Sequence, residues 1–65
     1  MENISTVIFE EQAELVISSS PQAPFWKAII RDENGEIVDA HSTDIELLMI
    51  ALEENCTEWL EENAA

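Results

Sequence analysis

The chain has 65 residues and a formal net charge of −13, because 15 Asp and Glu residues stand against two basic residues, Lys27 and Arg31. A chain this short forms one domain, residues 1–65, and a charge of this sign argues against direct binding to nucleic acid or to anionic membranes. The hydrophobic share of 46% is too high for a disordered acidic tail, so we expect a folded domain.

Residues 4–9 allow two interpretations. The β-branched run Thr6-Val7-Ile8 favours a strand, whereas the helical spacing of Ile4, Ile8 and Glu11 favours a short helix. We predict a strand here and keep the helix as the alternative.

Residues 13–18 contain an apolar run that predicts a strand. The next segment, residues 18–24, contains three serines and two prolines, a composition typical of a loop. Phe25, directly after this loop, is the aromatic residue that we expect to be partly exposed.

Residues 25–31 and 36–41 flank Asn34-Gly35 and predict a β-hairpin. A two-residue turn would mix charged residues into both faces of the ribbon. A three-residue loop over 33–35, with Gly35 in a G1 bulge, instead pairs Ile30 with Val38 and Ala28 with Ala40, and Trp26 joins the same apolar face. The opposite face would carry Lys27, Ile29, Arg31, Ile37, Asp39 and His41.

Residues 44–62 predict a long helix that begins with a capping box, in which Thr43 is the N-cap and Glu46 occupies the third helical position. Seven of its apolar residues fall on one stripe facing the core, namely Ile45, Leu48, Met49, Leu52, Cys56, Trp59 and Leu60. The predicted class is therefore α+β, a three- or four-stranded antiparallel β-meander packed against one C-terminal α-helix.

Catalytic chemistry has few candidate residues. His41 is predicted on the exposed strand face and Cys56 in the core stripe, so the two do not form a nucleophile–base pair. Gly35 is the only glycine, which excludes a glycine-rich phosphate loop. A divalent cation held by Glu54, Glu58 and Glu61 is the alternative to a solvated acidic face. We expect no enzyme activity, no cofactor and no metal.

The cellular setting follows from the cysteine count and the hydropathy. Cys56 is the only cysteine, so there is no internal disulfide to indicate an oxidising compartment. The N-terminus lacks the pattern of a signal peptide, and no apolar run reaches the length of a membrane span. We expect a cytoplasmic protein.

Acidic residues dominate the rest of the predicted helix, and we take them as the partner-binding face: Glu46, Glu53, Glu54, Glu58, Glu61 and Glu62. Glu54, Glu58 and Glu61 follow one another at about 5–6 Å, for a rise of about 1.5 Å per residue. This spacing is coarsely comparable with that of successive backbone phosphates. Such an array predicts an inhibitor that mimics nucleic acid and blocks a basic nucleic-acid-binding protein.

The strand, the Asn34-Gly35 hairpin and the acidic helix together resemble small acidic phage-encoded inhibitors, of the DNA-mimic and anti-CRISPR types. The hairpin followed by a helix also resembles the sheet-and-helix unit of HicB-type antitoxins, without their glycine-rich turn. No diagnostic motif accompanies either resemblance, so neither assigns binding residues. The predicted function is a non-enzymatic protein-binding module, with inhibition of a nucleic-acid-binding protein as its most specific form.

Leu47 and Ile50 lie outside the core stripe of the predicted helix. Isolated apolar residues are common on protein surfaces, but a pair can also form a contact patch. The alternative function is therefore a small structural or homodimerising module, in which Leu47 and Ile50 form the interface, an unpaired edge strand can contribute to it, and the acidity serves only solubility.

Overall fold

A computed structural model describes residues 2–22 and 25–63 of the chain. The elements are α1 Glu2–Glu11, β1 Glu14–Ser19, β2 Trp26–Asp32, β3 Gly35–Ser42 and α2 Ile45–Glu62. The strands form one antiparallel sheet in the order β1-β2-β3, which confirms an α+β fold with a β-meander against a C-terminal helix. The end of the predicted loop, residues 23–24, lies outside the described residues.

The segment that we predicted as a first strand is instead the helix α1. Ile4 and Val7 are three residues apart and both are buried, which a helix allows and a strand does not, because a strand would send them to opposite faces. The helix ends where Gln12 takes a φ of 50° and the Ala13 N–H donates to the Ile8 carbonyl at 2.9 Å. Gln12, in this left-handed backbone conformation, ends α1 and redirects the chain toward β1.

The hydrophobic core lies between the sheet and the two helices. It joins buried residues of α1, β2, β3 and α2 in one cluster, so both helices cover the same face of the sheet. The members of this cluster are Ile4, Val7, Ala28, Ile30, Val38, Ala40, Leu48, Leu52 and Cys56. Trp26 and Trp59 pack against it as partly buried side chains.

The β2–β3 hairpin has the predicted pairs, with Ile30 opposite Val38 and Ala28 opposite Ala40. Its turn is tighter than predicted, because Asp32 pairs with Gly35 and its Oδ1 accepts the Asn34 N–H at 2.8 Å. Gly35 has a φ of 120°, a conformation that glycine adopts at low cost.

The extra residue of the hairpin is Ile37 and not Gly35. Arg31 pairs with Glu36 while Ile30 pairs with Val38, so Ile37 is left without a partner in a bulge. A bulge redirects its side chain, and Ile37 packs against the core. The prediction that Ile37 lies on the opposite face with Lys27 was therefore wrong.

The start of α2 differs from the predicted capping box. Asp44 is the N-cap, in place of Thr43, and its carboxylate accepts the Glu46 N–H at 2.8 Å. A carboxylate also suits the positive end of the helix dipole better than a hydroxyl does. The buried residues of α2 begin one turn later, at Leu48, and Ile45 is 39% exposed, so its assignment to the core stripe was wrong.

Candidate functional site

The side of α2 that points away from the core carries both apolar and acidic residues. Leu47 and Ile50 are each 55% exposed, and Glu54, Glu58 and Glu61 are exposed as well. Steps of three and four residues place all five on one helix face. We call these five residues the outward face of α2. Its first half is apolar and its second half is acidic.

The three carboxylates of the outward face are available for an external partner. Among residues 2–22 and 25–63, none of Glu54, Glu58 and Glu61 takes part in a side-chain hydrogen bond or an ion pair. A basic surface that approaches them displaces weakly held ions and breaks no internal contact.

The other three acidic residues of the predicted binding face differ from one another. Glu46 is exposed in the first turn of α2, and Glu62 is exposed in its last turn. Glu53 is only partly exposed and belongs to the junction between the two helices. Its role in partner binding stays a prediction, at a position less exposed than those of the other five acidic residues.

Glu53 holds the first turn of α1 against α2. Its Oε1 accepts the Asn3 backbone N–H at 3.0 Å, one of the helix-start donors that have no partner inside the helix. The Asn3 side chain donates to Thr57 Oγ1 at 2.6 Å, and Thr57 donates to the Glu53 carbonyl at 3.0 Å. The second carboxylate oxygen of Glu53 is buried without a hydrogen-bond partner in the described structure.

Replacement of Glu53 by alanine should therefore destabilise the domain by about 1–2 kcal/mol, the usual cost of removing a side chain that caps a helix start. Glu53→Gln keeps an acceptor for the Asn3 N–H and should cost less. The measurement is urea unfolding followed by circular dichroism. Glu54→Ala is the matched control at the next, exposed position, and an equal loss at Glu54 would refute the capping role of Glu53.

The face of the sheet opposite the helices forms a second surface, which we call the open face. Paired residues in an antiparallel sheet point to the same side, and the pairing gives three rows of three, none fully buried. The rows are Glu14–Arg31–Glu36, Val16–Ile29–Asp39 and Ser18–Lys27–His41. Both basic residues of the chain and its only histidine therefore lie on this face, as the predicted strand alternation indicates.

The charge of the open face is nearly balanced. Two positive and three negative side chains lie on it, so it carries one of the thirteen net negative charges. Arg31 Nε donates to Glu14 Oε1 at 2.8 Å, with both side chains more than half exposed. Such an exposed ion pair contributes little stability. The remaining twelve net charges lie on the other surfaces of the molecule.

One end of the open face forms a depression of about 550 Å³ that Ser18, Lys27, Asp39 and His41 help to line. No hydrogen bond joins His41 to Ser18 or to Asp39 within the described chain. Cys56 is on the far side of the sheet, fully buried. Burial, together with the nearby Glu53 carboxylate, raises the pKa of its thiol from 9.0 to about 11, which keeps the thiol protonated at neutral pH.

The part of the chain that the structure describes contains no cluster of metal ligands and no helix that could span a membrane. No three His, Cys, Asp or Glu side chains there are grouped so that they could hold a metal ion, and this includes Glu54, Glu58 and Glu61. Neither α1 nor α2 combines the length and apolar character that crossing a bilayer requires.

Sequence reasoning located the outward face of α2, including the exposure of Leu47 and Ile50, from helical periodicity alone. It missed the contact of Glu53 with Asn3, for which the local sequence holds no signal, because the two residues are fifty positions apart. Comparison of the chain with family models, curated proteins and solved structures found no match.

Proposed function

We propose that this protein is a non-enzymatic binding module that acts in the cytoplasm and docks through the outward face of α2 onto a basic protein. The observation that carries the proposal is the combination on one exposed helix face of two apolar side chains and three unpaired carboxylates. The partner would offer an apolar pocket for Leu47 and Ile50 beside a positively charged surface. Apolar anchors supply affinity at such interfaces, and charge supplies orientation and association rate.

In the most specific form of the proposal, the partner is a nucleic-acid-binding protein, and α2 occupies the channel in which that protein binds nucleic acid. Proteins recognise the backbone of nucleic acids mainly through its regular negative charge. Glu54, Glu58 and Glu61 repeat negative charge along a rigid helix, and the net charge of −13 adds long-range attraction toward a basic channel. This arrangement supports inhibition by mimicry of a polyanion.

The competing proposal is a homodimer built on Leu47 and Ile50. A two-fold contact brings the same patch of both copies together. Glu54 lies one turn from Ile50 and Glu46 directly precedes Leu47, so this contact would also bring like charges of the two copies close to one another. That repulsion disfavours the outward face of α2 as a self-association surface.

The test is affinity capture with the whole protein from a cell lysate at low salt, followed by elution with rising salt. A partner bound through carboxylates elutes as salt increases. We expect this partner to be a basic, nucleic-acid-binding protein. It should release its nucleic acid when the acidic protein is added. The variant Glu54→Gln/Glu58→Gln/Glu61→Gln should bind this partner about tenfold more weakly, because each exposed ion pair with the partner contributes about 0.5 kcal/mol to binding.

The matched control is Glu10→Gln/Glu33→Gln/Glu36→Gln, which changes the net charge equally at exposed positions outside α2. It should retain binding. Equal loss in both variants would show that only total charge matters, and recovery of a small-molecule substrate in place of a protein would contradict the proposal.

A further inference from the structure

We infer that the outer edge of β1 is a self-association surface, at which two copies of this chain join their sheets into one antiparallel sheet of six strands. This inference is independent of the function proposed above. β1 pairs only with β2 in the described structure. Its outer backbone groups are therefore free to pair with another strand.

β1 lacks the features that protect the edge strands of natural sheets. Such edges usually carry lysine, proline, a bulge or an inward-pointing charge. The strand reads Glu-Leu-Val-Ile-Ser-Ser, with its only charge at the first position, and its pairing with β2 is continuous from Glu14 to Ser19. Nothing in the strand itself opposes the addition of another strand.

Charge favours a second copy at this edge over any other surface of the molecule. Residues 15–26 form the longest stretch of the sequence without a charged residue, and β1 begins that stretch. Elsewhere two copies would bring carboxylates together, which the net charge of −13 penalises. The β1 edge is where two strongly acidic molecules can approach with the least repulsion.

The opposite edge of the sheet is less suitable. The Asp39 carbonyl of β3 already accepts a hydrogen bond of 2.7 Å from the Asn55 side chain of α2. β3 also carries Glu36 and Asp39 as exposed acidic residues. Self-pairing at β3 would therefore compete with the contact to α2 and would bring carboxylates of the two copies close together.

The register of the proposed pairing between two β1 strands follows from Ile17, an apolar side chain that the rest of its own chain covers only in part. Ile17 pairs with Ala28 and so lies on the helix side of the sheet, yet it is 42% exposed. If Val16 faces Val16 of the second copy, Ile17 faces Leu15 of the second copy on the helix side. Both isoleucines are then covered, and Glu14 faces a serine and not another acid.

Sedimentation equilibrium of the full chain at low and high salt tests the inference. We expect a monomer–dimer equilibrium that shifts toward dimer as protein concentration rises and as salt screens the net charge. Ile17→Lys places a charge at the proposed contact between the two β1 strands. This variant should fold normally but remain monomeric. Leu47→Lys is the matched control, with the same chemical change at a similarly exposed apolar residue, and should still dimerise.

Hydrogen exchange provides a second readout that does not depend on a variant. Backbone amides of β1 should become more protected as protein concentration rises, while those of β3 should not change. A chain that stays monomeric at millimolar concentration in high salt would overturn the inference. So would a dimer that Leu47→Lys dissociates and Ile17→Lys does not, or β1 protection that appears only with a foreign peptide.

Discussion

Leu52→Ala is expected to lower the free energy of unfolding by about 2–5 kcal/mol, the range for removing a fully buried leucine side chain. Leu52 has no exposed surface and packs in the cluster between α2 and the sheet. A domain of this size has a total stability of only about 3–10 kcal/mol. The variant should therefore be largely or wholly unfolded on modest warming, which thermal unfolding followed by circular dichroism measures.

Leu47→Ala is the matched control for this experiment, because it makes the same chemical change in the same helix at a residue that is 55% exposed. A surface substitution of this kind usually changes stability by no more than about 0.5 kcal/mol. If Leu47→Ala lowered the melting temperature as much as Leu52→Ala, the assignment of the core stripe of α2 would be wrong.

Alkaline pH is expected to destabilise the domain through Cys56. The thiol has a pKa of about 11 in the folded protein against 9.0 in its ordinary environment, because of burial and then the Glu53 carboxylate. Below pH 9 both states hold the proton and stability is unaffected. Between pH 9 and about 11 the unfolded chain releases the proton first, so stability falls by on the order of 2 kcal/mol across this window.

The measurement is the free energy of unfolding at several pH values across this window, for the natural chain and for Cys56→Ala. The alanine variant shares every other ionisable group of the chain, so the difference between the two slopes reports the thiol. Cys56→Ala will be less stable at neutral pH because it leaves a small cavity. Its stability should nevertheless fall less steeply with pH, and equal slopes would contradict the buried, protonated thiol.

The two proposed interaction surfaces occupy different parts of the molecule. The acidic binding surface is the outward face of α2, whereas the self-association surface is the outer edge of β1. β2 separates β1 from β3 in the sheet. α2 packs mainly against β3, so a second copy at β1 leaves its outward face uncovered. A dimer would then present two acidic helices, and a partner with two basic sites would bind it more tightly than it binds a monomer.

The sequence by itself determined the hairpin, the long amphipathic helix and the sides on which most of their residues lie. Asn34-Gly35 predicts a turn from local backbone preference. The alternation around Ile30 and Val38 specifies one register, because a shift by one residue would bury charge. The helical spacing of Leu48, Leu52 and Cys56 specifies the buried side of α2 in the same way. These signals are local, so they can be read without knowledge of the fold.

Only the tertiary structure decided the features that depend on distant residues. Residues 4–9 suit a strand or a helix, and contacts with α2, including the bond from Asn3 to Glu53, select the helix. Glu53, which accepts that bond, is only partly exposed. The bulge turns Ile37 toward the core, although strand alternation places it on the open face. In each case local preferences are nearly balanced, and packing against a remote element supplies the small free-energy difference that selects one conformation.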